Sequence, residues 1–211
     1  MCCRGRIGPV IPAIVVPLLN NDPVYVKFTI ELNALGTGAR SGWLAASNVG
    51  DGSDVRMLLD SILTCPTSYA KLARVQTNTS PTGGPVSSLG PVWFQVQNAY
   101  TGGSYLAGVA AAPDGTLLYT NPPGPSALVP PAGFVLYPPG MSSPTAALRT
   151  GTRYGVQSGD GRALRAIPVL GSTNQEFTLQ WALPASTDGF PVSTMTLYST
   201  LLTSPCPRIG I

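Results

Sequence analysis

Glycine and proline interrupt this chain so often that long helices have nowhere to form: 24 glycines and 22 prolines are spread over 211 residues. Proline lacks a backbone donor and clashes with the preceding helical turn, while glycine loses the most backbone entropy on ordering. Helical bundles and coiled coils are thereby excluded. The chain is still 44% hydrophobic with a net charge of +3, too apolar and too weakly charged for disorder and long enough to enclose a core. What satisfies both constraints is a set of short strands joined by turns.

The clearest strand covers residues 24–32. Val24, Val26, Phe28, Ile30 and Leu32 alternate with Tyr25, Lys27, Thr29 and Glu31, so one face is apolar and the other polar. Before it, residues 1–22 read as an extended arm, because Pro9, Pro12 and Pro17 forbid a helix while the apolar residues between them need a surface to lie against. Asn20-Asn21-Asp22-Pro23 is a turn. After it, the glycines at 36, 38 and 42 mark a hinge over 36–42 and set the boundary to a domain at 43–211.

Within that domain, Val55, Leu58, Leu59, Ile62 and Leu63 fall at helical spacing behind Ser53 as an N-cap and Asp54 at the positive helix end, and Pro66 ends the run. One short helix is predicted there. Strands are expected over 92–97, 104–112, 116–120, 133–137, 147–154, 163–170, 176–183 and 193–202, with Asp114-Gly115, Asp160-Gly161 and Asp188-Gly189 as tight-turn signals. About nine or ten strands at this spacing describe an all-β fold, an antiparallel β-sandwich of jelly-roll or projecting-domain type.

The residue types present restrict the chemistry severely. With no histidine in the sequence, Ser-His-Asp and Cys-His catalysis and His-containing zinc sites are impossible. Cys2, Cys3, Cys65 and Cys206 form no Cys-x-x-Cys pair; they read as free or buried thiols, with a Cys65–Cys206 bridge or acylation at Cys2 and Cys3 as alternatives. The Gly36-Thr37-Gly38-Ala39-Arg40-Ser41 run only imitates a dinucleotide loop, since serine stands at its third glycine position. Asp51 and Asp54 are read as turn and cap residues before a calcium site, and Asp114, Asp160 and Asp188 as turn residues before glycosidase carboxylates.

Trp43, Tyr100, Tyr105 and Tyr119 are the aromatic residues that would stack on a sugar or dock a partner if exposed, with burial in the core as the simpler reading. Asn78-Thr79-Ser80 is the single N-glycosylation sequon. The basic residues are scattered, so no footprint for direct nucleic-acid binding is expected. The apolar stretch 7–19 is too short to span a bilayer and is broken by proline, so no membrane span is expected either. No catalytic, cofactor-binding or metal-binding residue is assigned.

Residues 22–32, Asp22-Pro23-Val24-Tyr25-Val26-Lys27-Phe28-Thr29-Ile30-Glu31-Leu32, resemble the last strand of the jelly-roll shell domain in coat proteins of small positive-strand RNA viruses of the tombusvirus-like kind. In that family an aromatic-alternating strand ending in a hydrophobic-Glu-Leu step precedes a short hinge and a projecting β-sandwich. The resemblance implies a shell-domain remnant at 1–35, a hinge at 36–42 and a projection at 43–211, although the basic RNA-binding arm and most of the shell are absent. It further implies a non-enzymatic capsid protein of the virion, acting by self-association and host-receptor contact with no cofactor. The receptor would be a protein or a glycan. The alternative reading is a secreted carbohydrate- or protein-binding module.

Overall fold

The structure, a computed structural model, describes residues 15–32, 38–45, 49–60, 70–88, 90–98, 100–109, 114–121, 133–138, 147–171, 175–182 and 187–199. Twelve strands are formed: β1 (Pro23–Glu31), β2 (Ala39–Leu44), β3 (Arg56–Leu59), β4 (Leu72–Gln76), β5 (Trp93–Gln97), β6 (Ser104–Val109), β7 (Leu118–Thr120), β8 (Phe134–Tyr137), β9 (Arg153–Ser158), β10 (Leu164–Pro168), β11 (Glu176–Trp181) and β12 (Phe190–Tyr198). All named pairings are antiparallel. The expected all-β, sandwich-like class is therefore correct.

Strands β1, β2, β3, β11, β10 and β12 close on one another as a barrel. A second circuit shares two of its walls. The first residues of β1 pair with β4, which leads to β5; Val92, just before β5, exchanges two 2.9 Å backbone hydrogen bonds with Phe134 of β8, and β8 returns through β9 to β12. Strands β6 and β7 extend this sheet from β5, and the segment around β7 turns back onto β3 and β11 through the bridges Asp54–Leu118 and Thr116–Gln180.

β1 sits at the centre because its alternation is the strongest in the chain. Val24, Val26, Phe28 and Ile30 are all essentially inaccessible to solvent, while Tyr25, Lys27, Thr29 and Glu31 face outward and are half-buried. Full burial of such side chains contributes about 1.5–3 kcal/mol each before entropy is counted. They join one continuous core with Phe94, Tyr119, Phe134, Tyr154 and Trp181. Phe134 is the aromatic hub of that core, with ring centroids 5.2 Å from Phe94 and 5.3 Å from Trp181.

Two expectations are corrected. The predicted helix over 53–63 is a strand where it is described: Val55, Met57 and Leu59 alternate inward, Arg56 reaches across to Glu176 at 3.2 Å, and no helix occurs among the described residues. Ser53 caps nothing helical; its hydroxyl donates to the Gly50 carbonyl at 2.7 Å and accepts from the Gly50 N–H at 2.9 Å, closing a turn. Residues 39–42 of the expected hinge belong to β2 and are paired with β1. Gly42 is there for close approach, since a Cβ on it would lie 2.6 Å from the Leu58 carbonyl oxygen and 2.8 Å from Met57 Cγ.

The expected arm is described from residue 15 onward. Its last part packs on its own barrel: Leu18 is fully buried, and its N–H reaches the Leu148 carbonyl at 2.8 Å while its carbonyl accepts from Val86 at 3.0 Å. The turn after it is formed as expected, with Asn21 in the left-handed region at φ 77°.

Strand limits also shift. β9 lies at Arg153–Ser158 where 147–154 is expected, with Ala147 and Arg149 making only isolated bridges. β2 and β4 come in addition to the expected strands. Asp160-Gly161 does turn β9 into β10, and Asp114-Gly115 lies between β6 and β7, but Asp188-Gly189 joins no hairpin because β11 and β12 are separated by β10.

Candidate functional site

The outer face of β1, β4, β5 and β6 carries a groove of about 790 Å³. Strand register builds it. Tyr25 lies opposite Leu72, Arg74 opposite Gln95, and Gln97 opposite Ser104, and the alternation that sends Val24, Ala73, Val75 and Val96 into the core turns these neighbours outward. Lys71, Asn98 and Gly102 complete the walls. No carboxylate lines it.

Each amide in the groove is oriented by a partner of its own. Gln76 donates from Nε2 to Gln95 Oε1 at 3.1 Å, which holds Gln95 by its oxygen. Gln97 is held the other way, donating from Nε2 to the Gly102 carbonyl at 3.3 Å. Arg74 uses one guanidinium nitrogen on the Asn21 carbonyl at 3.2 Å. Among the described residues neither Arg74 nor Lys71 forms an ion pair.

The turn from β5 to β6 forms one rim. Asn98 Oδ1 accepts from the backbone N–H of Tyr100 at 2.7 Å and of Thr101 at 3.0 Å, while its amide nitrogen donates to the Val49 carbonyl. This fixes the turn and leaves the Tyr100 side chain 99% exposed.

The groove continues into an aromatic and charged patch on the barrel. Tyr25 pairs across strands with Tyr198, whose ring lies 5.5 Å from Trp43. Lys27 sits 4.9 Å over the Trp43 ring and 2.6 Å from the Asp60 carboxylate, which also accepts the Trp43 indole N–H at 2.5 Å. This patch is internally satisfied and leaves Lys27 committed.

The other residues weighed from sequence are dispersed. Tyr105 and Tyr119 turn inward, Tyr119 completely, and Trp43 is buried under Lys27 and Tyr198, leaving Tyr100 as the one of the four that is free to bind. Asp51 accepts from the Asn121 N–H at 3.0 Å, Asp54 lies 3.9 Å from Arg56, and Asp114 accepts from the Thr116 N–H at 3.0 Å. That last bond, with burial opposing it weakly, holds the Asp114 carboxyl below its ordinary range. The Ser158 hydroxyl and then Arg162 do the same for Asp160.

Arg165 is consumed by the carbonyls of Thr187, Asp188 and Gly189. No group of three or more metal-ligating side chains occurs among the described residues. Asn78 of the sequon is exposed. Cys2, Cys3, Cys65 and Cys206 lie outside the described residues. No described helix is long and apolar enough to cross a membrane. The groove was missed by sequence reading because Lys71 and Arg74 meet Gln95 and Gln97 only through the β4–β5 register.

No protein-family model, curated protein or solved structure matches the chain.

Proposed function

We propose that the chain is a non-enzymatic structural protein of a virus particle, a capsid or surface component that assembles with copies of itself and recognises a host receptor through the outer face of β1, β4, β5 and β6. The observation that carries the recognition role is the groove lined by hydrogen-bonded amides, by Lys71 and Arg74 with no ion pair among the described residues, and by the exposed Leu72, beside a turn that carries the fully exposed Tyr100. Its groups are arranged to hold a surface. For assembly, the support is the exposed Val15 and Val16 pair beside the buried Leu18, together with a surface of low charge.

Such a protein would act in the virion. The decisive experiment is sedimentation velocity and negative-stain electron microscopy of the purified full chain over a wide concentration range. Oligomers or closed particles that vanish in a Val15→Ser/Val16→Ser variant are expected, whereas a monomer at every concentration overturns the assembly role. A second reading, a secreted binding module for carbohydrate or protein, is favoured by the groove alone and would follow from ligand binding by a permanent monomer.

A further inference from the structure

We propose that the groove on β1, β4, β5 and β6 binds an acidic oligosaccharide, a chain of hydroxyl-bearing sugar rings carrying a carboxylate. The inference rests on the reading of this face as a recognition surface and names its ligand. Charge comes first. Among the described residues Lys71 and Arg74 form no ion pair and no carboxylate lines the groove, so an anion is favoured there and a cation is not.

Hydrogen-bond polarity comes second. Gln95 and Gln97, two positions apart on β5, both line the groove, and each keeps amide hydrogen-bonding capacity beyond the one bond that holds it. Amides that can donate and accept suit sugar hydroxyls, each of which does both. Arg74 keeps guanidinium nitrogens beyond the one spent on Asn21, which can take a carboxylate side-on. Tyr25 in the lining supplies a ring for the apolar face of a sugar, and the exposed Tyr100 stands on the adjoining turn between Asn98 and Gly102. At about 790 Å³ the groove has room for more than one ring.

A peptide partner fits less well. Peptides commonly add to a sheet through a free strand edge, and β4, β5 and β6 are paired on both sides. Such a ligand would have to lie across the strands, with Leu72, Ala70 and the Tyr25 ring as the apolar contacts in the lining.

The test is calorimetric titration of the full chain with trigalacturonate, with its trimethyl ester and with a Glu-rich hexapeptide, in low salt. Trigalacturonate should bind at least tenfold more tightly than the ester, which keeps the hydroxyls and loses the charge. Lys71→Met with Arg74→Met should weaken that binding by tenfold or more, Gln95→Leu and Tyr100→Ala by several-fold each, and Arg153→Gln, on an exposed site of β9, not at all. Circular dichroism confirms that each variant is folded.

Equal binding of acid and ester, no binding of either, or tighter binding of the hexapeptide overturns the proposal. Particle assembly without trigalacturonate binding overturns this ligand and leaves the assembly role standing. Charge-dependent binding by a permanent monomer does the reverse.

Discussion

The hydroxyl of Tyr154 closes a loop onto a single upstream residue: it accepts a hydrogen bond from the backbone N–H of Arg149 at 2.6 Å and donates one to the carbonyl of the same residue at 2.9 Å. Tyr154 is buried at the start of β9, so its ring packs in the core while its hydroxyl satisfies a peptide unit that belongs to no strand. The geometry is that of the tyrosine corner found where chains cross between sheets of Greek-key proteins. Tyr154→Phe should cost about 1–3 kcal/mol, because both backbone groups of Arg149 lose their partner and the ring stays in place. Urea unfolding should show a lower midpoint with an unchanged slope.

Gly108 faces the ring of Phe134 so closely that a Cβ would lie 2.4 Å from its Cε2, and its φ is +91°. Both the space and the backbone forbid a side chain. Gly108→Ala is expected to lose on the order of 2–4 kcal/mol, combining overpacking with left-handed strain. Gly52→Ala, also at positive φ but with nothing within 4 Å of its Cβ, isolates the strain and should lose only about 1 kcal/mol. Thermal unfolding of the two variants measures the difference.

Asp160 pins the β9–β10 turn by accepting from the Ser158 hydroxyl and from Arg162 Nε at 3.0 Å. These bonds favour the charged carboxylate, so its folded pKa falls below the ordinary 3.8. The stability it adds is present above that ordinary value and disappears as pH drops through the depressed one. NMR titration should place the Asp160 carboxyl below 3.8, and Asp160→Asn should flatten the part of the acid-unfolding curve that lies in this window.

Tyr119 is fully buried with no hydrogen-bond partner for its hydroxyl among the described residues. Burial alone pushes its ionisation far above the ordinary value of 10.0. Stability from the neutral phenol is complete below pH 10 and declines as pH rises above it, because the unfolded chain can ionise and the folded one cannot. Tyr119→Phe removes the unpaired hydroxyl at no loss of ring packing, so it should equal or exceed the parent in stability at neutral pH. It should also lose less above pH 10, as read by urea unfolding on either side of that value.

The strands that could be read in advance are those with the cleanest alternation and punctuation. β1 announces itself through four inward apolar residues in register, and β5, β6 and β8 lie between glycine, proline and Asp-Gly signals. The segment after Ser53 failed because Val55, Leu58 and Leu59 satisfy helical spacing while Val55, Met57 and Leu59 satisfy strand spacing, and pairing with β2 and β11 decides between them. β2 was hidden by glycines that serve tight packing at Gly42, a use no local pattern distinguishes from a flexible joint. The groove was less legible still, since its members come from four strands and only tertiary register makes them neighbours.

The two walls common to both circuits are far apart in sequence: Phe28 of β1 lies beside Met195 of β12. Neither circuit can shut until a ribosome has delivered β12, so closure waits on the search for a distant pairing and is slow. Until then the nascent chain carries half-made sheets with bare edges. A cell producing this protein in quantity would depend on chaperone protection during synthesis far more than the finished barrel, with those edges joined, would require afterwards.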